Sequence, residues 1–184
     1  MSYVTESTIW PDSVALDSSV KDVIALFYKL ADNTGPEAGP RMAKEVFTET
    51  AKLVAGHGGF EGSEGQEILG PCSFSWKTYL TWLHLLTALE AISHSRDHAW
   101  DKIAGRRHNI FKVFVNDKEG HDLFLLGKVR MDLRNGKNVD SDFTAHILVD
   151  AESHASGSPR ISLMQVFAVS YHIFINLLYG AVFS

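Results

Sequence analysis

The chain has 184 residues, of which 45% are hydrophobic and 21% are charged, and its formal net charge is −5. This composition is typical of one soluble globular domain that can bury a core without disulfide bonds, and it excludes a disordered chain. Because 17 basic residues are outnumbered by 22 acidic ones, and the only tight basic cluster is Arg106 with Arg107, we expect no nucleic-acid partner.

Both ends of the chain favour a cytoplasmic protein with no membrane contact. Residues 1–20 lack the basic start and apolar stretch of a signal peptide, and the single cysteine, Cys72, cannot form an internal disulfide. Residues 161–184 carry no formal charge, but His172 and Asn176 interrupt the apolar run and no basic residue follows it. We expect a core strand there, followed by a helix that covers an apolar opening.

The N-terminal part predicts an arm, two helices and a strand. After an arm of residues 1–17, the segment SSVKDVIALFYKLADN carries a capping box from Ser19 to Asp22. Pro40 can open a short second helix, and the weakly alternating TAKLVAGHGGFEG predicts a strand. The apolar positions of the two helices are Val20, Val23, Ile24, Phe27, Tyr28 and Ala31 in the first, and Met42 and Val46 in the second.

The segment SFSWKTYLTWLHLLTALEAISHSRDHAW predicts a long third helix that is buried on most of its surface. Glu90 in its middle either faces a cavity as an extra acid or base or lies on an exposed edge. His94 and His98 have the i,i+4 spacing of metal ligands, but only His108 follows as a third ligand. We therefore expect no metal.

Four strands follow the third helix: NIFKVFVND, DLFLLGKVRMDL, SDFTAHILVDA and PRISLMQVFAV. Their connections are short and polar, as is typical of antiparallel neighbours. Helices followed by an antiparallel sheet predict the α+β class. In the second of these strands, Lys128, Arg130, Asp132 and Arg134 share one face. In the third, Thr144, His146 and Leu148 oppose Phe143, Ala145, Ile147 and Val149, and periodicity leaves the direction of His146 undecided.

This order of elements resembles the cone-shaped α+β barrel of nuclear transport factor 2, which scytalone dehydratase and the SnoaL-type polyketide cyclases share. The resemblance covers residues 18–170 and rests on FYKLADN at the end of the first helix, RRHNIFKVFV at the start of a strand, and DLFLLGKVRMDLRNGKNVDSDFTAHILVDAE as the central hairpin. It is strongest to fungal members of secondary metabolism. It implies N-terminal helices packed on a curved sheet around a cavity, with residues 171–184 as a lid.

The resemblance also implies the site. His108 and His146 would line the cavity with Thr144, and Asp32 is the acidic residue after the first helix. If both histidines point into one cavity, they can take and return protons near neutral pH, as general acid/base catalysis requires. A lone buried histidine would instead be a structural residue. Further candidates for substrate contact are Glu90, Phe111, Met131 and Gln165.

These expectations describe a cofactor-independent isomerase, cyclase or dehydratase that acts on an apolar, oxygenated polyketide or terpenoid. The water-holding tyrosines of scytalone dehydratase would fall near Thr34 or Gly35 and at Ala55, so its own dehydration is not expected here. The alternative is a non-enzymatic binding or dimerisation module, because fold does not fix function. We also expect a homodimer formed through the outer sheet face that carries Lys128 and Arg130, together with Arg134.

Overall fold

The computed structural model describes residues 2–55, 58–60, 88–94, 96 and 98–168. The predicted helices and strands follow one another in the predicted order, a short strand and a five-residue helix are present in addition, and the α+β class is confirmed. The elements are α1 (Ser18–Asp32), α2 (Ala38–Val46), β1 (Phe47–Ala55), β2 (Gly58–Phe60), α3 (Ala88–His94), β3 (Ile103–Val115), β4 (Asp122–Leu133), β5 (Asn138–Val149), α4 (Ala151–Ala155) and β6 (Ile161–Ala168).

The strands form one six-stranded sheet in the order β2-β1-β6-β5-β4-β3. Strands β3 to β6 are antiparallel neighbours in succession, as their short connections predicted. Strand β1 pairs in parallel with β6, a long-range contact that the sequence did not predict. The N-terminal helices therefore stand beside a sheet built mainly from the second half of the chain.

Helix α1 packs its predicted apolar face into the core, where all six residues are buried. Its N-cap is Asp17, whose side chain accepts a hydrogen bond from the Ser19 amide at 2.8 Å. The predicted capping box starting at Ser19 is therefore wrong, because the carboxylate two residues earlier satisfies that free amide. Helix α2 buries Met42 and Val46 as predicted, but it starts at Ala38, two residues before the predicted Pro40.

Burial in the sheet shows which face is inside. Along β4, buried and exposed positions alternate, with the charged residues outside, as predicted. Along β5, the buried residues are Phe143, Ala145, Ile147 and Val149. Thr144 and His146 therefore point to the opposite side of the sheet, which settles the direction that the sequence left undecided. We call the side packed against the helices the inner face and the other side the outer face.

The N-terminal arm lies along the edge strand β3. Val4 is fully buried, and its carbonyl accepts a hydrogen bond from the Ile110 amide at 2.9 Å, while the Ile9 amide donates to Phe111 at 2.8 Å. These bonds satisfy backbone groups that an edge strand otherwise leaves unpaired. The arm is therefore fixed between Val4 and Ile9, and it brings Tyr3 to the end of α1.

Two predicted features lie partly or wholly outside the described residues. Of the long third helix, the structure describes the piece Ala88–His94, and the lid predicted for residues 171–184 lies beyond residue 168. None of the described helices is long and apolar enough to cross a membrane.

Candidate active site

His108 and Asp32 form a buried pair between α1 and the sheet. Asp32 is the last residue of α1, and His108 lies on β3 opposite Val129, which is buried on the inner face. The His108 Nδ1 atom is 2.5 Å from Asp32 Oδ1, and the His108 backbone amide donates to Oδ2 at 2.8 Å. Their side chains are only 14% and 5% exposed. His108 and Asp32, which the resemblance placed in one site, are thus in direct contact.

Two further side chains hold the Asp32 carboxylate. The Tyr3 hydroxyl donates to Oδ2 at 2.8 Å, and Arg106 Nε lies 3.7 Å from Oδ1. Arg106 also donates to the carbonyl of Ala31. Burial, followed by the hydrogen bond to Asp32, raises the pKa of Tyr3, so its hydroxyl stays protonated and remains a donor. The carboxylate is therefore fixed from several directions.

This contact determines the tautomer of His108. An ionised carboxylate can only accept hydrogen bonds, so Nδ1 carries the proton and Nε2 presents its lone pair. Burial lowers the pKa of His108, the charges of Arg106 and Arg96 lower it further, and Asp32 opposes them. The ring is therefore neutral near pH 7, the state in which an imidazole can accept a proton.

Aromatic rings surround the imidazole. The Tyr28 and Phe143 rings lie 5.0 and 5.5 Å from the His108 ring, centroid to centroid. Tyr28 is fully buried, and its hydroxyl has no hydrogen-bond partner among the described residues. Burial raises the pKa of Tyr28, so this hydroxyl is neutral. A buried hydroxyl without a partner costs free energy, and it is free to donate to a bound molecule.

Two arginines stack on Trp100 beside the pair. The guanidinium carbons of Arg96 and Arg106 lie 5.5 and 4.8 Å from the Trp100 ring centre, and Arg96 donates to the carbonyl of Asn33 at 2.8 Å. Burial, with the nearby charge of Arg106, lowers the pKa of Arg96 to about 10. Arg96 is therefore shielded in part from solvent by the tryptophan and the end of α1.

His146 lies on the opposite face of the sheet. It pairs with Phe124 on β4 and with Gln165 on β6, and its ring stacks on Phe124 at 4.5 Å with an interplanar angle of 5°. Its Nε2 atom is 2.9 Å from Asp122 Oδ1, and Nδ1 is 3.4 Å from Gln165 Oε1. The structure therefore does not bring His146 into one cavity with His108.

The other predicted substrate contacts are dispersed. Thr144 and Gln165 share the outer face with His146. Phe111 sits at the irregularity of β3 and is exposed, and Glu90 is exposed on α3. Met131 alone among these five lies on the inner face, buried opposite Arg106.

Sequence reasoning missed Tyr3, Arg96 and Arg106 as neighbours of the pair. For Arg106 a signal was present, because residues two apart in a strand share a face and RRH places Arg106 with His108. For Tyr3 and Arg96 no local signal exists, since their contacts with the end of α1 span 29 and 63 residues.

Comparison with known proteins identifies the fold. No protein-family model matches the sequence, and neither does any curated protein. Among solved structures, a nuclear transport factor 2-like protein from Burkholderia pseudomallei superposes with a TM-score of 0.53, covering 89% of this chain and 99% of its own at 10% identity. The fold is that of the nuclear transport factor 2-like proteins. The predicted resemblance is confirmed at that level.

Two further structures with this nuclear transport factor 2-like fold are named for activities. A protein described as a polyketide cyclase, from Bacillus cereus, has a TM-score of 0.54 over 95% of this chain and 91% of its own at 11% identity. A hexachlorocyclohexane dehydrochlorinase (LinA, type 2) has a TM-score of 0.55 over 83% and 84% at 10% identity. At such identities the likeness establishes the fold, and this fold accommodates enzymes.

Proposed function

We propose that the chain is a cofactor-independent isomerase, cyclase or lyase that uses His108 and Asp32 for general acid/base catalysis. The observation that carries the proposal is the 2.5 Å contact between His108 Nδ1 and a carboxylate that is 5% exposed. A histidine that is held neutral, with Nε2 presented and Nδ1 tied to a carboxylate, has the arrangement that a general base requires.

In the proposed mechanism, Nε2 of His108 takes a proton from a carbon next to a carbonyl or from a hydroxyl. Asp32 holds the tautomer and stabilises the imidazolium that forms. The neutral Tyr28 hydroxyl, beside the ring, donates to the oxygen on which charge develops. His108 then returns the proton at a second position or to a leaving group, which gives isomerisation, ring closure or elimination.

The substrate we propose is an apolar, oxygenated small molecule of the polyketide or terpenoid kind. The Tyr28 and Phe143 rings around His108 support an apolar partner, since aromatic side chains favour ring systems. The named activities of the cyclase and the dehydrochlorinase support an enzyme with this fold. The substrates in their names are those of the two similar proteins alone.

Deuterium exchange tests the proposal without knowledge of the natural substrate. In D2O, the protein should speed the loss of the acidic C–H signals of 2-tetralone in proton NMR spectra. His108→Ala should lower that rate by a factor on the order of 10² to 10⁴, the usual contribution of general acid/base catalysis. His146→Ala is the matched control and should stay within about twofold. Equal losses in both variants, or none in either, would contradict the assignment of His108.

We also propose that the chain forms a homodimer through its outer sheet face. Four apolar side chains there are 38 to 53% exposed, and next to them the ion pair Lys128–Asp142 is exposed. A patch with both apolar area and charges of both signs can be complementary to itself, as a twofold interface requires. We define this outer patch as Phe114, Phe124, Leu126 and Phe167.

A further inference from the structure

A cleft near the end of α1 takes no part in the proposed proton transfer and is separate from the outer patch. It has a volume of about 420 Å³ and lies between the α1–α2 connection, the first turn of α2 and the end of α3. Gly35, Gly39 and Ser93 line it together with Arg96 and Trp100. Gly39 is required there, because an added Cβ would lie 2.3 Å from the carbonyl oxygen of Ser93.

The charges around the cleft favour an anion. Arg96 lines it, and no ion pair joins Arg96 to a carboxylate among the described residues. The Asp32 carboxylate is already engaged by His108, Tyr3 and Arg106. The Arg96 and Arg106 guanidinium groups thus lie near a single carboxylate, which of the two pairs with Arg106 alone, in a partly buried place where uncompensated charge is costly.

The start of α2 adds to this preference. Its first turn borders the cleft, and its N-cap, Glu37, makes no capping hydrogen bond through its side chain. The helix dipole at such a position attracts negative charge, although the Ala38 and Arg41 amides already donate to the Gly35 and Glu37 carbonyls and Pro40 has no amide hydrogen. The Glu37 carboxylate itself is exposed and accepts a hydrogen bond from Asn33, and it is not part of the cleft lining.

We propose that this cleft binds the carboxylate of a ring-bearing organic acid, with Arg96 as the donor and Trp100 as the surface for the ring. A planar guanidinium matches a carboxylate through two parallel hydrogen bonds. The tryptophan and the nearby Pro36 and Pro40 offer an apolar wall, which suits an organic acid better than a hydrated phosphate. The identification of this acid as the substrate rests on the proposed function; the binding itself does not.

The cleft borders residues that contact the end of α1, where Asp32 lies, although neither His108 nor Asp32 lines it. Arg96 donates to the carbonyl of Asn33, the residue next to Asp32, and its charge reaches the His108 ring. An acid held by Arg96 would thus lie beside the end of α1, which carries Asp32. The substrate class of the proposed enzyme narrows to apolar, oxygenated compounds that carry a carboxylate.

Calorimetric titration with 2-naphthoate and its neutral analogue 2-naphthamide tests this inference. The wild-type protein should bind the acid at least tenfold more tightly than the amide, and added salt should narrow the difference. Arg96→Gln should lower the affinity for naphthoate tenfold or more. Arg41→Gln, which removes the same charge from an exposed arginine paired with Glu45 on α2, should stay within about twofold.

Several outcomes would overturn the inference. They are equal affinity for acid and amide, no binding of naphthoate at millimolar concentration, an unchanged affinity in Arg96→Gln, and tighter binding of inorganic phosphate than of naphthoate. The wild-type comparison of acid with amide stands even if Arg96→Gln fails to fold. His108→Ala should still bind naphthoate, so a failure of this site and a failure of His108 as the base are measured separately.

Discussion

The sheet carries a histidine–aspartate pair on each face, and the two pairs differ in nearly everything except their residue types. The inner pair is His108 with Asp32, and the outer pair is His146 with Asp122. The imidazoles are 14% and 20% exposed, but the carboxylates are 5% and 38% exposed. The contact distances are 2.5 and 2.9 Å.

The carboxylate, more than the histidine, separates the two pairs. Asp32 accepts hydrogen bonds from His108 and Tyr3 and has Arg106 beside it, whereas Asp122 accepts from His146 and from Asn116 near solvent. Water screens the electrostatic attraction in the outer pair, whereas the buried carboxylate of the inner pair is screened less and attracts its partner more strongly. The inner pair can therefore set the tautomer and basicity of a catalytic imidazole.

The largest expected difference is in stability. Asp32→Ala leaves Arg106 and three hydrogen-bond donors without their acceptor, so we expect the free energy of unfolding to fall by about 3 to 5 kcal/mol. Asp122→Ala removes a half-exposed contact and should cost about 1 kcal/mol or less. Urea unfolding followed by circular dichroism measures both. Similar losses in the two variants would mean that burial does not separate the pairs.

The sequence could predict the inner pair only in part. The apolar face of α1 and the alternation of β4 are local patterns, and both match the structure. The direction of His146 remained open because Leu148 beside it is as apolar as the residues of the buried face. The outcome depended on neighbouring strands, whose pairing places His146 between Phe124 and Gln165.

The contacts around Asp32 were beyond local reasoning for a different reason. They join residues 29 to 76 positions apart in the chain, and no period links such distances. The resemblance to nuclear transport factor 2-like proteins named Asp32 and His108. Tyr3, which reaches Asp32 through an arm that docks on an edge strand, follows only from the folded chain.

The pH dependence of stability gives a smaller and directional test of the comparison. Because the pKa of His108 is lowered from 6.5 in the fold, chiefly by burial, the unfolded chain takes up a proton at a higher pH than the folded chain does. The associated stability is fully present above pH 6.5 and is lost as the pH falls toward the lower pKa, by up to about 1.4 kcal/mol per pH unit.

His108→Gln should flatten the loss of unfolding free energy below pH 6.5 relative to the wild type. Urea denaturation at half-unit steps from pH 7.5 to 5 resolves the two. A slope that survives in His108→Gln would mean that another group binds the proton.

The smallest effect on the stability of the isolated chain is expected for substitutions in the outer patch. Here the two faces of the sheet differ in what covers them. The inner face is covered by helices, while Phe124 and Leu126 of β4 remain about 40% exposed. Exposed apolar area of this kind marks interaction surfaces. A second copy would cover it and place Lys128 and Asp142 near their counterparts.

Phe124→Lys should lower the free energy of unfolding of the monomer by about 1 kcal/mol, because it removes the ring that stacks on His146. It should nevertheless convert a dimer to a monomer in sedimentation velocity, because a lysine opposite its own copy repels it. Ile9→Lys is the control, since Ile9 is more exposed than Phe124 but lies on the N-terminal arm at the sheet edge. A monomeric wild type would contradict the proposed dimer. Dissociation by Ile9→Lys as well would mean that the interface is not specific to the outer patch, because a twofold contact through that patch loses its apolar centre only when Phe124 becomes charged.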